Sequence, residues 1–326
     1  MKRSMKIVWT VIGVIFGVGL ILTGIGYTMG ASKHIVLNTT GVHAIKGDTK
    51  VISDQQQLEK FTSISIDTRS ASVKLEPSDH YGIETHYQDN NETITWEIKD
   101  DCLTVQQSEN YHGLNWDFSF INAGSPYYWG EVTIYYPSDA NFQTTTVVSG
   151  GNITIAGLKT DGLTLEGDSA TFDLQDVTTT KWENKLDTSD ISANHVTTTK
   201  LVHITNNGDT SFSNCMFEMI EGSIEDGNLD MVSCQTKGMQ IINHYGDMDL
   251  TGDFQGITSL NAVEGDVTLH PTMDSSSYGY QLESAEGCVE INGIEQPQSI
   301  SQNMSSQNQI RATVEYGDIS IAVSSH

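Results

Sequence analysis

Apolar and polar residues alternate along most of this chain in short runs, and glycine followed by Asp or Asn interrupts them at regular intervals. The clearest copies are Gly208-Asp209-Thr210-Ser211-Phe212, Gly227-Asn228-Leu229-Asp230-Met231, Gly246-Asp247-Met248-Asp249-Leu250 and Gly265-Asp266-Val267-Thr268-Leu269. A weaker copy starts at Ser189, so the starts fall at 189, 208, 227, 246 and 265, a constant interval. Side chains two apart in a strand share a face. The period therefore predicts a stacked apolar ladder of Ile191 and Ala193, Thr210 and Phe212, Leu229 and Met231, Met248 and Leu250, and Val267 and Leu269. The residues between them (Ser192, Ser211, Asp230, Asp249, Thr268) are expected to face solvent. One rung cannot bury its inner face alone, so each is stabilised by its neighbours. Similar motifs at Gly151, Gly167, Gly287 and Gly317 lie off the strict spacing and predict looser rungs, looped-out insertions or an atypical end.

From Phe61 the same alternation appears without the period. Ile64, Ile66, Val73 and Leu75 mark strands, and ETITWEIKDDCLTVQQ reads as a hairpin turning at Lys99-Asp100-Asp101. EVTIYYP at 131–137 closes this section. The predicted fold class is all-β: a parallel β-solenoid with rungs of about 19 residues, preceded by one transmembrane helix. The expected organisation is a basic end and membrane helix over 1–29, a polar spacer over 30–60, a strand region with an aromatic insertion over 61–140, and the repeat domain over 141–326.

The membrane expectation comes from the run Ile7 to Met29, which carries no charge and follows Lys2, Arg3 and Lys6. As a helix this run is about 34 Å long, enough to cross a hydrocarbon core of about 30 Å. A cleaved signal peptide normally has a shorter apolar core. The basic end is expected in the cytoplasm and the rest of the chain outside, as a single-pass protein of the cell membrane. Gly13 and Gly17 form a GxxxG spacing, as do Gly26 and Gly30, a pattern that lets two such helices associate into a homo-oligomer.

Composition narrows the function. Lys and Arg total 16 against 42 Asp and Glu, for a net charge of −26, which excludes a basic nucleic-acid-binding face. No HExxH, GxSxG, P-loop or CxxC occurs, and only Arg69 and Arg311 follow the membrane segment. The chain is therefore expected to be non-enzymatic and without a cofactor, a carbohydrate-active enzyme being the weaker alternative.

The stretch EVTIYYPSDANFQTTTVVSGGNITIAGLKTDGLTLEGDSATFDL, with the later Gly-Asp copies, resembles the bacterial putative-adhesin family, a β-strand-repeat domain of unknown function, over residues 61–323. That resemblance implies a membrane-anchored or exported envelope protein acting as an adhesin or scaffold on a protein or glycan. Some members sit beside Lia-type envelope-stress systems, which implies the alternative of a regulatory accessory working through a membrane partner. It carries no catalytic residues to transfer.

Three features offer candidate chemistry. The residues after the repeat glycines should form a column about 4.8 Å apart, each side chain holding its own turn. The same column makes Asp209, Asp247 and Asp266 the candidates for calcium. Cys215 and Cys234 lie one period apart, in reach of a disulfide in the oxidising space outside a membrane, or else stacked as core. Cys102 and Cys288 are expected to pack as small apolar residues. Finally, Tyr111, Trp116, Phe118, Tyr127, Tyr128 and Trp129 crowd one irregular segment. They read either as a plug over an open end of the stack or as a binding patch for a sugar or protein.

Overall fold

The structure is a computed structural model that describes residues 2–29, 34–38, 41–45, 51–88, 92–109, 114–117 and 130–323. It is nearly all-β and divides into two compact units. The smaller comprises residues 1–50, 88–92 and 109–127. It contains helix Lys2–Thr28 and a three-stranded antiparallel sheet in which His34–Asn38 pairs with both Gly41–Ile45 and Leu114–Asp117. The stretch expected to be a plain spacer thus carries strands of its own, because its β-prone apolar run (Ile35-Val36-Leu37) can pair once Leu114–Asp117 supplies an edge. Side chains of the helix are described continuously only over residues 12–26, and among the described residues no helix is long and apolar enough to cross a membrane.

The larger unit is a stack of parallel rungs made of two ladders. One ladder carries the Gly-Asp motif strands. It runs from Asn152–Ala156 through Thr171–Gln175, Asp190–Asn194, Thr210–Ser213, Leu229–Thr236 and Met248–Phe254 to Val267–Pro271, each parallel to the next. The other runs through Lys159–Gly167, Thr178–Thr188, Thr197–Asn207, Met216–Asp226, Met239–Tyr245 and Ile257–Glu264. Partners are one repeat period apart over most of this length: Phe172 faces Ile191, Thr210 faces Leu229, and Leu163 faces Trp182. Ile191, Ala193, Thr210, Phe212, Leu229, Met231, Met248, Leu250, Val267 and Leu269 are all at least 98% buried, as the alternation requires. Ser192, Asp230 and Asp249 between them are exposed.

Residues 61–140 and the repeat form one stack, since Ser63–Thr68 is parallel to Phe142–Ser149 and Ser72–Ser78 is parallel to Asn152–Ala156. The ends are built out of sequence order. At the N-terminal end the outermost rung is Cys102–Glu109 with Glu131–Pro137, outside the earlier Ser63–Thr68 and Ser72–Ser78. At the C-terminal end Asn308–Tyr316 inserts between Ile257–Glu264 and Tyr278–Ser284. Likewise Ile319–Ile321 inserts between Val267–Pro271 and Val289–Ile291. This explains the broken spacing of the last two motifs, because Gly317 stacks directly on Gly265 and Gly287 stacks on Gly317. Antiparallel strands then cover both ends: Gly82–Gln88 beside Glu131–Pro137, and Ser299–Gln302 beside Tyr278–Ser284. Paired in this way, the outer rungs do not leave their own edges free.

The repeat glycines are required twice over. Gly208, Gly227, Gly246 and Gly265 have φ between +130° and +152°, a region L side chains avoid. A Cβ at Gly227 would also lie 2.1 Å from the carbonyl oxygen of Gly208 in the rung before.

Candidate functional site

The aspartate column is a structural ladder. Asp209 N–H donates to Asp190 Oδ1 at 2.9 Å, Asn228 N–H to Asp209 Oδ1 at 2.9 Å, and Asp247 N–H to Asn228 Oδ1 at 2.9 Å. The series continues through Asp266 N–H to Asp247 Oδ1 and Asp318 N–H to Asp266 Oδ1, both at 2.8 Å. Each side chain therefore caps the next rung's turn and not its own, a correction that follows from the stacking, which brings the next N–H closer than any local one. Asp209, Asp247 and Asp266 all commit one carboxylate oxygen this way, and no group of three His, Cys, Asp or Glu among the described residues is arranged to hold a metal. Nearby Asp230 has its carboxyl pushed up by burial and by the charges of Asp249, Asp209 and Asp247.

Cys215 and Cys234 are free thiols, fully buried, in the interior column that also holds Leu158, Val177 and Val196. Hydrogen bonding with Cys234 and burial push the Cys215 thiol up. Cys288 is exposed, contrary to expectation: it occupies the aspartate position of the outermost rung, where side chains point to solvent, and its N–H caps onto Asp318 Oδ1 at 2.7 Å. Cys102 is half-buried.

Of the aromatic candidates, Trp116 lies in strand Leu114–Asp117, where its backbone pairs with Ile35. Tyr111, Phe118, Tyr127, Tyr128 and Trp129 lie outside the described residues.

Among the described residues a concavity lies elsewhere, a groove of about 500 Å³ along one corner of the larger unit. Along its floor runs a ladder in strict register, Thr160, Thr179, Thr198, Phe217 and Thr236, which the buried Phe142 and Phe254 continue at either end. Six rung intervals of about 4.8 Å make it about 29 Å long. The concavity has a local cause. Thr160, Thr179 and Thr198 each donate a hydroxyl hydrogen bond to the carbonyl two residues on (Gly162, Lys181, Lys200) at 2.9, 2.9 and 3.2 Å. The intervening Asp161, Thr180 and Thr199 drop out of the pairing register, so the strand kinks inward at the threonine. Thr236 is 2% exposed, and its Oγ1 has no hydrogen-bond partner.

The walls are mostly threonine side chains, with the side-chain amides of Asn141, Gln235 and Gln255. The four charged residues lining the groove balance: Glu218 pairs with Lys237 at 2.5 Å, and Lys159 donates to the Ser138 carbonyl at 3.2 Å while Asp161 sits near it in the chain. A neutral groove on a chain of net charge −26 stands apart from the rest of the surface. It was not foreseen from the sequence, although the pentapeptide Val-Thr-Thr-Thr-Lys at 177–181 recurs at 196–200, one period on.

A family model described as Toastrack DUF4097 matches residues 61–322. The chain belongs to this family. The match spans the stack, groove and aspartate ladder included. Similar solved structures include a putative lipid binding protein from Parabacteroides distasonis ATCC 8503, at 12% identity, covering 86% of this chain and 98% of that one with a TM-score of 0.53. A putative adhesin from Parabacteroides merdae ATCC 43184 aligns at 13% identity over 86% of this chain and 98% of its own, with a TM-score of 0.47. Another putative adhesin, from Bacteroides fragilis NCTC 9343, aligns at 12% identity over 84% of this chain and 97% of its own, with a TM-score of 0.43. The first of these shares the fold of the Toastrack domain. No curated protein matches the sequence.

Proposed function

We propose that this Toastrack protein is a non-enzymatic surface protein of the cell membrane, anchored by residues 7–29, whose rungs of about 19 residues present a binding face to an envelope protein or glycan. The observation that carries the reading is the groove: it is long, shallow, neutral and built by a repeated kink, which suits holding a polymer in place. Catalysis needs convergent titratable groups, and the groove's charged residues are paired off or set at its ends. The uncharged run from Ile7 to Met29 supports the anchor, and the basic residues before it support an outward-facing stack.

The test uses the full chain in its own membrane and in detergent micelles. It should remain in the membrane pellet after alkaline extraction, and protease added to intact cells should reach the stack. The micellar protein should co-sediment with insoluble envelope polymer. Alkaline release, or protection from protease, refutes the anchored and outward-facing arrangement. Failure to co-sediment refutes the binding role.

A further inference from the structure

Resting on that binding role, we infer that the groove between Phe142 and Phe254 is the ligand site, and that its ligand is a neutral, extended glycan lying along the stack with about one sugar unit per rung. Three observations converge. First, the groove repeats with the rung spacing of about 4.8 Å, so a polymer whose unit spans a similar length meets equivalent wall groups at each step. A pyranose unit in an extended glycan has such a span, whereas a peptide in extended conformation advances about 3.3 Å per residue and falls out of step within two rungs.

Second, the chemistry on offer is that of sugar recognition without charge. Exposed Thr180 and Thr199 present hydroxyls from one wall, Thr178 and Gln235 line the other, and the methyl groups and Phe217 supply an apolar floor. The charges near the groove cancel, so nothing there favours a phosphate or a uronate, and the acidic remainder of the molecule disfavours both.

Third, Thr236 Oγ1 is a buried hydroxyl with no partner, on the floor of the groove. Thr160, Thr179 and Thr198 satisfy theirs on the carbonyl two residues along, while Thr236 does not. A buried hydroxyl left unmade is costly, and a turn of the Thr236 side chain towards the groove would let a sugar hydroxyl supply the missing partner.

The experiment titrates the full chain in detergent micelles with neutral gluco-, cello- and chito-oligosaccharides of two to eight units. Affinity should rise with length and level off near six units, the number of rung intervals. Thr199→Glu places an extra charge on an exposed wall position and should weaken binding about tenfold or more. Thr236→Val removes only the unpartnered hydroxyl, so binding should fall a few-fold while thermal stability holds or rises; a purely structural hydroxyl would give a loss of stability instead. Oligosaccharide binding indifferent to Thr199→Glu overturns the assignment of the groove, and so does a polar peptide that binds there in competition with every sugar. If no neutral oligosaccharide binds while envelope polymer still co-sediments, the glycan inference fails and the binding role stands. If neither binds, both fail.

Discussion

Asp247 and Asp266 are joined across two rungs: the backbone N–H of Asp266 donates to Asp247 Oδ1 at 2.8 Å. The same bond recurs along the whole Gly-Asp corner, so the column of acids acts as a chain of caps despite the repulsion between its members. Asn228 stands in this column and makes the same bond without a charge.

That comparison makes a paired prediction. Asp247→Ala should destabilise the stack by about 1 kcal/mol through the loss of one cap. Asp247→Asn should be neutral or stabilising, because the acceptor is kept and a charge facing Asp230 is removed. Chemical denaturation of the two variants beside wild type, at low and high salt, checks both; the advantage of the Asn variant should shrink as salt screens the acids.

Gly227→Ala should destabilise the stack by about 3 kcal/mol, combining a disfavoured positive φ with a Cβ driven onto the Gly208 carbonyl. Gly162 has room for a methyl group, the nearest atom lying at an ordinary van der Waals distance of 3.8 Å from where a Cβ would sit, and no positive φ. Gly162→Ala should leave the melting temperature nearly unchanged.

His203 is 1% exposed in the interior of the stack, with Asn184 Nδ2 at 3.0 Å from Nδ1 and Thr210 Oγ1 at 2.8 Å from Nε2. Burial lowers its pKa from the usual 6.5 to about 4. Between these values the unfolded chain binds the proton and the folded one does not. Its contribution is therefore full above pH 6.5, falls as pH drops through the window, and levels off below about 4. The loss amounts to about 3 kcal/mol. Unfolding free energy measured from pH 7.5 to 4 should show this slope, and His203→Gln should remove that part of it.

Cys215 and Cys234 continue the Leu158, Val177 and Val196 column, so valine at either position should change stability by about 1 kcal/mol or less. In the folded protein a thiol reagent should modify Cys288 first, and Cys215 and Cys234 only after unfolding. Immediate labelling of Cys215 would contradict its buried position.

Much of the stack was legible in advance. The alternation at Phe212, Leu229, Met231 and Leu250 decides which side chains face inward, and the glycines mark the corners, because strand alternation and a positive φ are local properties that recur in every rung. The groove was half legible: the repeated Val-Thr-Thr-Thr-Lys was in plain view, but not the kink, which requires the threonine hydroxyl to turn back onto its own backbone. His203 sits in an ordinary alternating run, and only the neighbouring rungs, with Asn184 and Thr210, make its site closed and polar.

The sequence by itself determined the period, the inward-facing ladder and the corner glycines, since equal rungs repeat equal local constraints. Tertiary structure alone decided that Asp247 caps Asp266 and not its own turn, and that Asn308–Tyr316 enters between two strands that precede it in the chain. Strand edges with similar apolar alternation offer nearly equivalent partners. Which edge wins depends on the whole stack being closed at both ends, and no local stretch of sequence contains that information.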